Sequence, residues 1–425
     1  MTAGRATGFT RGQWSWAMAD WAREPFFSIV LSLIFPPYFV AVVAGDPVRG
    51  TVLWGYGLAA ASAALVLLSP FAGAAADSTG RRKPWIVGCV VVAVAALASL
   101  WLATASPGRV VWVLASCALA QLAIELSRVF TDSMVLRVAP RERVGDLSGL
   151  AVGLGFAASF VYVCGTLLFD DAGARAVSAL SGAWLVVFIL PLLLSCPDFP
   201  GELRSWAESC RDSFARLRNS LRDLVRVPQV GRFLLARMVF WDGMMALFSF
   251  IAILASSRLE WRPSEISMFG LLGLVAGAAG GIAGGVVDRR YGSKLSLMGA
   301  IGTMLAVSIV MLLTLPAQVA RDTGAALFPT AGDQLFLALA IVACACLGVV
   351  LASSRSMMVR LSPADRLGEF FGLYVMVGRA SSFAAPLLVA LATTAFGDQT
   401  VGVFGVALTF MALGLVLLGR VHDAR

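Results

Sequence analysis

Pro363-Ala364-Asp365-Arg366-Leu367-Gly368-Glu369, followed by Gly372-Leu373, lies at the centre of residues 354–387, SRSMMVRLSPADRLGEFFGLYVMVGRASSFAAPL. The same frame stands 223 positions earlier as Pro140-Arg141-Glu142-Arg143-Val144-Gly145-Asp146 with Gly149-Leu150. A second echo sets Gly73-Ala74-Ala75-Ala76-Asp77…Gly80 against Gly284-Gly285-Val286-Val287-Asp288…Gly292, and Asp77 and Asp288 lie 211 positions apart. A third sets Asp20 against Asp242, 222 apart. Three echoes at nearly one spacing describe a chain built of two similar halves.

Working outward, the 425 residues are 59% hydrophobic and 14% charged, with a mean hydropathy of +0.85. Soluble domains carry about a quarter charged residues. The apolar residues come in runs near the roughly 20 residues that cross a bilayer as a helix. Twelve such spans are expected, at 22–44, 52–76, 84–105, 110–134, 147–169, 176–196, 232–256, 265–287, 294–316, 334–358, 369–396 and 400–419. One set of loops and tails holds 22 Lys and Arg, the alternate set only Arg49, Arg109, Arg175, Arg258, Arg262 and Arg321. That bias predicts an inner-membrane protein with both termini cytoplasmic.

The longest connection is amphipathic. Leu203, Trp206, Cys210, Phe214, Leu217, Leu221 and Leu224 recur at helical spacing among Arg and Asp, as expected of a helix along the inner membrane surface. The expected organisation is an N-terminal six-helix bundle over 1–196, a linker over 197–231 and a C-terminal bundle over 232–425. The net charge of +8 points to the anionic lipid surface, with no nucleic-acid partner. The seven cysteines form no CxxC pair and read as small apolar residues. The sole histidine, His422, lies in the tail. With no metal set, nucleophile elbow or phosphate-cradling loop, the chain reads as neither an enzyme nor a cofactor protein.

Gly73-x-x-x-Asp77-Ser78-Thr79-Gly80-Arg81-Arg82-Lys83 resembles the GxxxD(R/K)xGRR(R/K) motif of the major facilitator superfamily, with Ser78 in place of a basic residue. Gly284-x-x-x-Asp288-Arg289-Arg290-Tyr291-Gly292-Ser293-Lys294 is similar to its second copy, one residue longer. The resemblance implies an all-α membrane fold of twelve transmembrane helices in two parallel six-helix repeats. It also implies a cytoplasmic gate in which Asp77, Arg81, Arg82, Asp288 and Arg289 take part. Trp16…Asp20-Trp21-Ala22, Phe35-Pro36-Pro37-Tyr38-Phe39, Ser354-Arg355-Ser356, Glu369-Phe370-Phe371-Gly372-Leu373-Tyr374 and Ala380-Ser381-Ser382-Phe383 are similar to the "unknown major facilitator" branch. Its fungal members export amino acids from vacuoles. This chain departs from that branch at Arg23-Glu24, at Asp132-Ser133-Met134 and at Arg379, so the solute does not transfer with the fold.

An ionisable group at mid-bilayer costs about 2.5–3.5 kcal/mol on insertion scales, so each one calls for a reason. Glu24, Glu125, Arg128, Asp132, Arg237, Asp242 and Arg355 fall on spans 1, 4, 7 and 10, and Arg379 on span 11. By the superfamily resemblance, spans 1, 4, 7 and 10 line the central cavity. Helical rise places Arg379, Asp242, Glu125 and Arg128 roughly 15 Å in, and Asp132 and Arg355 about 7–8 Å in. Arg128 and Arg379 are the expected contacts for a carboxylate or phosphate, since guanidinium offers two parallel hydrogen bonds. Arg237, Glu125, Asp242, Tyr38 and Phe383 complete the expected solute site. Glu125, Asp242 and Glu24 are the candidate proton carriers. Glu125 and Arg128, one turn apart, are expected to pair. Aligning the repeats sets Asp132 opposite Arg355 as a bridge across the inner gate, joined by Asp20. The alternative is that these charges only neutralise one another and fix helix register.

The resulting expectation is a monomeric secondary transporter of a small anionic or zwitterionic organic solute, working by alternating access with proton coupling. The rival readings are a carrier of drug, sugar or lipid, and a transport-dead sensor that keeps the fold.

Overall fold

The computed structural model describes residues 8–104, 106–140, 143–168, 173–198, 227–315, 326–363 and 367–422, with single positions at 205, 208 and 211. Among the described residues twelve helices are long and apolar enough to span a membrane. They are α1 (Arg11–Ala44), α2 (Pro47–Ala76), α3 (Lys83–Leu102), α4 (Val110–Asp132), α5 (Asp146–Leu167), α6 (Gly173–Ser195), α7 (Pro228–Arg258), α8 (Pro263–Tyr291), α9 (Ser293–Thr314), α10 (Ala331–Leu361), α11 (Gly372–Phe396) and α12 (Gln399–Gly419). An even number of crossings brings both ends of the chain to one side, here called the terminal face; the other is the far face. Val111, Leu194, Ile282 and Leu313 are 75–78% exposed, a surface that only lipid would cover favourably.

The duplication seen in the sequence is repeated in the packing. α1 packs on α5 and α6, as α7 packs on α11 and α12. α4 is flanked by α2 and α3, as α10 is by α8 and α9. α1 and α7 are the most deeply buried spans, because each faces its own bundle and the other half.

Within the C-terminal half the seams are made of backbone. A Cβ on Gly348 of α10 would collide with the Gly277 carbonyl of α8, and one on Gly280 with the Ala345 carbonyl. Small residues admit this approach because lipid supplies no hydrophobic drive between helices, leaving van der Waals packing to hold them. The α1–α6 seam is aromatic instead. Trp21 stacks on Trp184 at 6.1 Å, and the Trp184 indole N–H donates to the Trp21 carbonyl at 3.0 Å.

The structure extends one expected span and breaks another. α1 begins at Arg11 rather than near residue 22, capped by a reciprocal Thr10–Gln13 box. Its polar first turns escaped a hydropathy reading because they bury against protein: the Trp16 indole donates to the Thr131 carbonyl of α4 at 2.8 Å. Beyond Pro25 the helix loosens to π register over Phe26–Ile34 and Phe39–Ala44, on either side of Pro36-Pro37. A proline ring clashes with the carbonyl four residues back and lacks an N–H, and the wider coil relieves both. Span 11 is two helices, Leu367–Ala380 and Ala384–Phe396, broken at Ser381–Phe383 just ahead of Pro386. The amphipathic face expected at 203–224 lies outside the described residues.

Candidate functional site: a charged seam between the two halves

Arg128, on α4, is ringed by carboxylates. Its guanidinium lies 3.1 Å from Glu24 and 3.9 Å from Asp20, both on α1, and 3.8 Å from Glu125 one turn back on its own helix. The Phe27 ring lies 5.0 Å from the guanidinium carbon. Arg23, marked in the sequence only as a departure from the family branch, is nearly fully buried, donates to the Ala19 carbonyl and the Ser127 hydroxyl, and stands 3.7 Å from Asp20. Glu24 rests on Gly155 of α5, where a Cβ would come within 3.2 Å of it. Three carboxylates therefore face two guanidiniums, a surplus of negative charge on this wall.

The facing wall is built by α7 against the break in α11. Arg237 is buried, lies 3.8 Å over the Tyr374 ring and 5.4 Å from Trp241, and donates to the Tyr374 carbonyl at 3.3 Å. It makes no ion pair among the described residues, and its Nε has no hydrogen-bond partner. A Cβ on Gly378 would fall 2.7 Å from the guanidinium, so only glycine leaves room for this pose. Asp242 is buried and accepts from Ser381 at 3.1 Å, within the broken segment. Phe383 closes that segment, half-buried.

Among the described residues one ion pair joins the walls: Arg379 Nη2 donates to Asp132 Oδ2 at 3.0 Å. Asp132 is one helical turn from Arg128, so that face of α4 looks across to the other half. This corrects the expected Asp132–Arg355 bridge. Arg355 is exposed and makes no ion pair among the described residues, because positions equivalent by symmetry touch only where they sit on the symmetry axis. The depth count also shifts: the Arg379 side chain reaches back to the level of Asp132 instead of staying at its own Cα. Tyr38 stands apart from the charged walls, its hydroxyl donating to the Ala103 carbonyl at 2.6 Å at the far end of α3. It is a packing residue of the far face.

Comparison with known proteins fits this architecture. The family described as "Vacuole effluxer Atg22 like" matches residues 144–425. The chain belongs to the Atg22-like family. A Bacillus subtilis protein, the uncharacterized MFS-type transporter YxiO, is 26% identical over 98% of this chain and 96% of its own length. Autophagy-related protein 22-1 of Neosartorya fischeri is 22% identical, but the match takes in 69% of this chain and only 50% of the fungal protein. A solved D-xylose-proton symporter superposes with a TM-score of 0.68 at 12% identity, covering 96% of this chain and 97% of its own. At that identity the likeness shows the major facilitator fold alone. This Atg22-like chain is an integral membrane transporter of the major facilitator superfamily, not an enzyme.

In this Atg22-like protein the two motif loops tie up their own halves. Asp288 accepts from Ser293 and lies 3.5 Å from Arg360 of α10. The backbone N–H groups of Arg82 and Lys83 donate to Asp198 at 3.0–3.2 Å, and Lys83 Nζ donates to the Leu193 carbonyl. Arg81 and Arg289 are exposed, Arg82 is buried against the Gly80 carbonyl, and the side chain of Asp77 lies outside the described residues. On the terminal face, then, the ion pair crossing between halves is Asp132–Arg379. On the far face the halves meet tightly: Gly55 of α2 lies against the Pro386 carbonyl, and Thr51 donates to Gln399 at 2.7 Å, both buried. Neither Thr51 nor Gln399 was marked by the sequence, since each stands at a helix start where polar residues are ordinary.

Proposed function

We propose that this protein moves a small anionic or zwitterionic, amino-acid-like solute across a bacterial plasma membrane by alternating access, coupled to protons. Its termini and basic loops face the cytoplasm, as the charge bias requires. The observation that carries the reading is the opposite character of the two walls. The α1/α4 wall holds more carboxylate than guanidinium, a place for an ammonium group or a transported proton. Among the described residues the α7/α11 wall holds Arg237 in no ion pair and Arg379 paired with Asp132 of the other half, a place for a carboxylate. A break in a span beside the site leaves polar groups free to meet a solute, as in other carriers. Glu24, Glu125 and Asp242 are the groups that would exchange protons. The halves 1–196 and 232–425 rock about this seam, linked by 197–231, and the protein works as a monomer.

A thermal-shift screen of purified protein over amino acids, organic acids, sugars and hydrophobic drugs tests the solute class. Stabilisation by carboxylate-bearing compounds, lost in Arg379→Gln, is the expected result. Stabilisation by sugars or drugs alone refutes it. Uptake into proteoliposomes with and without an imposed pH gradient tests the coupling; Glu24→Gln is expected to remove the response to the gradient.

A further inference from the structure

Arg128 and Arg379 are alike in sequence terms but not in their surroundings. Arg128 is held by three carboxylates on its own half, so an incoming anion would meet negative charge on every side. Among the described residues Arg379 is held by Asp132 alone, through one Nη, and both partners keep contact with solvent: their side chains are 29% and 47% exposed. Next to it, Gly378 lies against Arg237, a buried guanidinium with an unpartnered Nε. The segment 374–382 therefore carries Arg379, paired with a carboxylate of the opposite half, and packs against Arg237 and Asp242 of α7.

We propose that Asp132 is an intramolecular stand-in for the solute's anionic group, which displaces it from Arg379. The carboxylate of the solute takes the Arg379 fork. Releasing Asp132 severs the ion pair that ties α4 to α11 on the terminal face, so occupancy of the site and opening of that face become one event. A partly exposed ion pair is a weak competitor, and its removal is worth a small factor in affinity rather than orders of magnitude. Arg379 is then the specificity-determining group, and Asp132 acts through it. This inference rests on the anionic or zwitterionic solute class proposed above.

The test uses full-length protein in lipid nanodiscs, with spin labels on the terminal-face ends of α4 and α11, titrated with the same amino acids and organic acids and with their neutral amides. Asp132→Asn is expected to lengthen the α4–α11 distance without solute and to tighten acid binding by about two- to fivefold. The amides are expected to remain non-binders. The double variant Asp132→Arg with Arg379→Asp is expected to keep the short distance and lose acid binding. Acid affinity unchanged in Asp132→Asn, or an unchanged distance, overturns the exchange while leaving the solute class standing. A wild-type protein that binds amides as well as acids overturns the solute class and the exchange with it.

Discussion

Arg128 neutralises more than one neighbour at once, and its loss would leave Glu24 and Glu125 without a cation and Asp20 with Arg23 alone among the described residues. Breaking a buried ion pair from one side costs about 3–5 kcal/mol, and less where water still reaches the pair, as here. Arg128→Gln is therefore expected to lower stability by about 2 kcal/mol, read by denaturant unfolding in detergent. Adding Glu24→Gln is expected to restore part of that loss; strict additivity of the two changes would show that they do not interact. At this scale the sequence was legible in which charges lie within the spans but not in who meets whom. The i, i+3 geometry of one helix revealed Glu125–Arg128, whereas Arg128–Glu24 and Arg379–Asp132 depend on how α1 and α11 are rotated. Arg23 was marked only as a departure from the family branch, because nothing in the local sequence shows that it turns inward against Ser127 of α4.

Single elements carry their own tests. Where span 11 breaks, Ser381 ties the broken segment to Asp242 of α7, and deleting a buried hydrogen bond costs about 1–3 kcal/mol when the partner is left unsatisfied. Ser381→Ala is expected to lose about 1–2 kcal/mol and to weaken solute binding, whereas Ser381→Thr should retain both; equal behaviour of the two variants would count against the tie. Between α11 and α12, burial alone would raise the Asp398 carboxyl, but hydrogen bonds from Arg258 and from Thr400 outweigh it and hold it below the usual carboxylate range. A group depressed in the folded state stabilises above its unfolded value and loses that contribution as pH falls through its folded value. The Arg258–Asp398 clasp is thus fully formed at neutral pH and fails only in strong acid. Asp398→Asn should lower the melting temperature at pH 7 and leave the pH dependence of transport unchanged. Pro386 gave notice of trouble in span 11, yet the break falls before it, at a Ser-Ser pair with no strong turn signal. The span boundaries that moved most, at the start of α1, did so because its polar residues face protein rather than water.

For the whole molecule, number of crossings, duplication and fold were all readable, because hydropathy and repeat spacing are properties of the chain as a polymer. The direction in which the halves lean was not, since it follows from contacts such as Thr51–Gln399 that join helix starts 348 residues apart. Removing that bond is expected to loosen the far face. Thr51→Val should raise the labelling rate of a cysteine placed on the far-face end of α2 and slow transport; an unaltered labelling rate would show that the seal rests on the apolar contacts around Gly55 alone.

The looser winding of α1 has a mechanical consequence. A π-coiled segment stores slack: it turns less per residue than regular helix, so rewinding several of its residues adds up to a rotation of everything beyond it. Because the prolines at 25, 36 and 37 flank the slack, rewinding would twist Glu24 relative to the Tyr38 anchor and lengthen the segment between them. We predict that Pro36→Ala with Pro37→Ala lets the segment rewind. The sign would be an altered reactivity of a cysteine introduced at Ser28, while the Tyr38 end stays in place; identical reactivity would mean that the loose coil is a fixed joint and not a swivel.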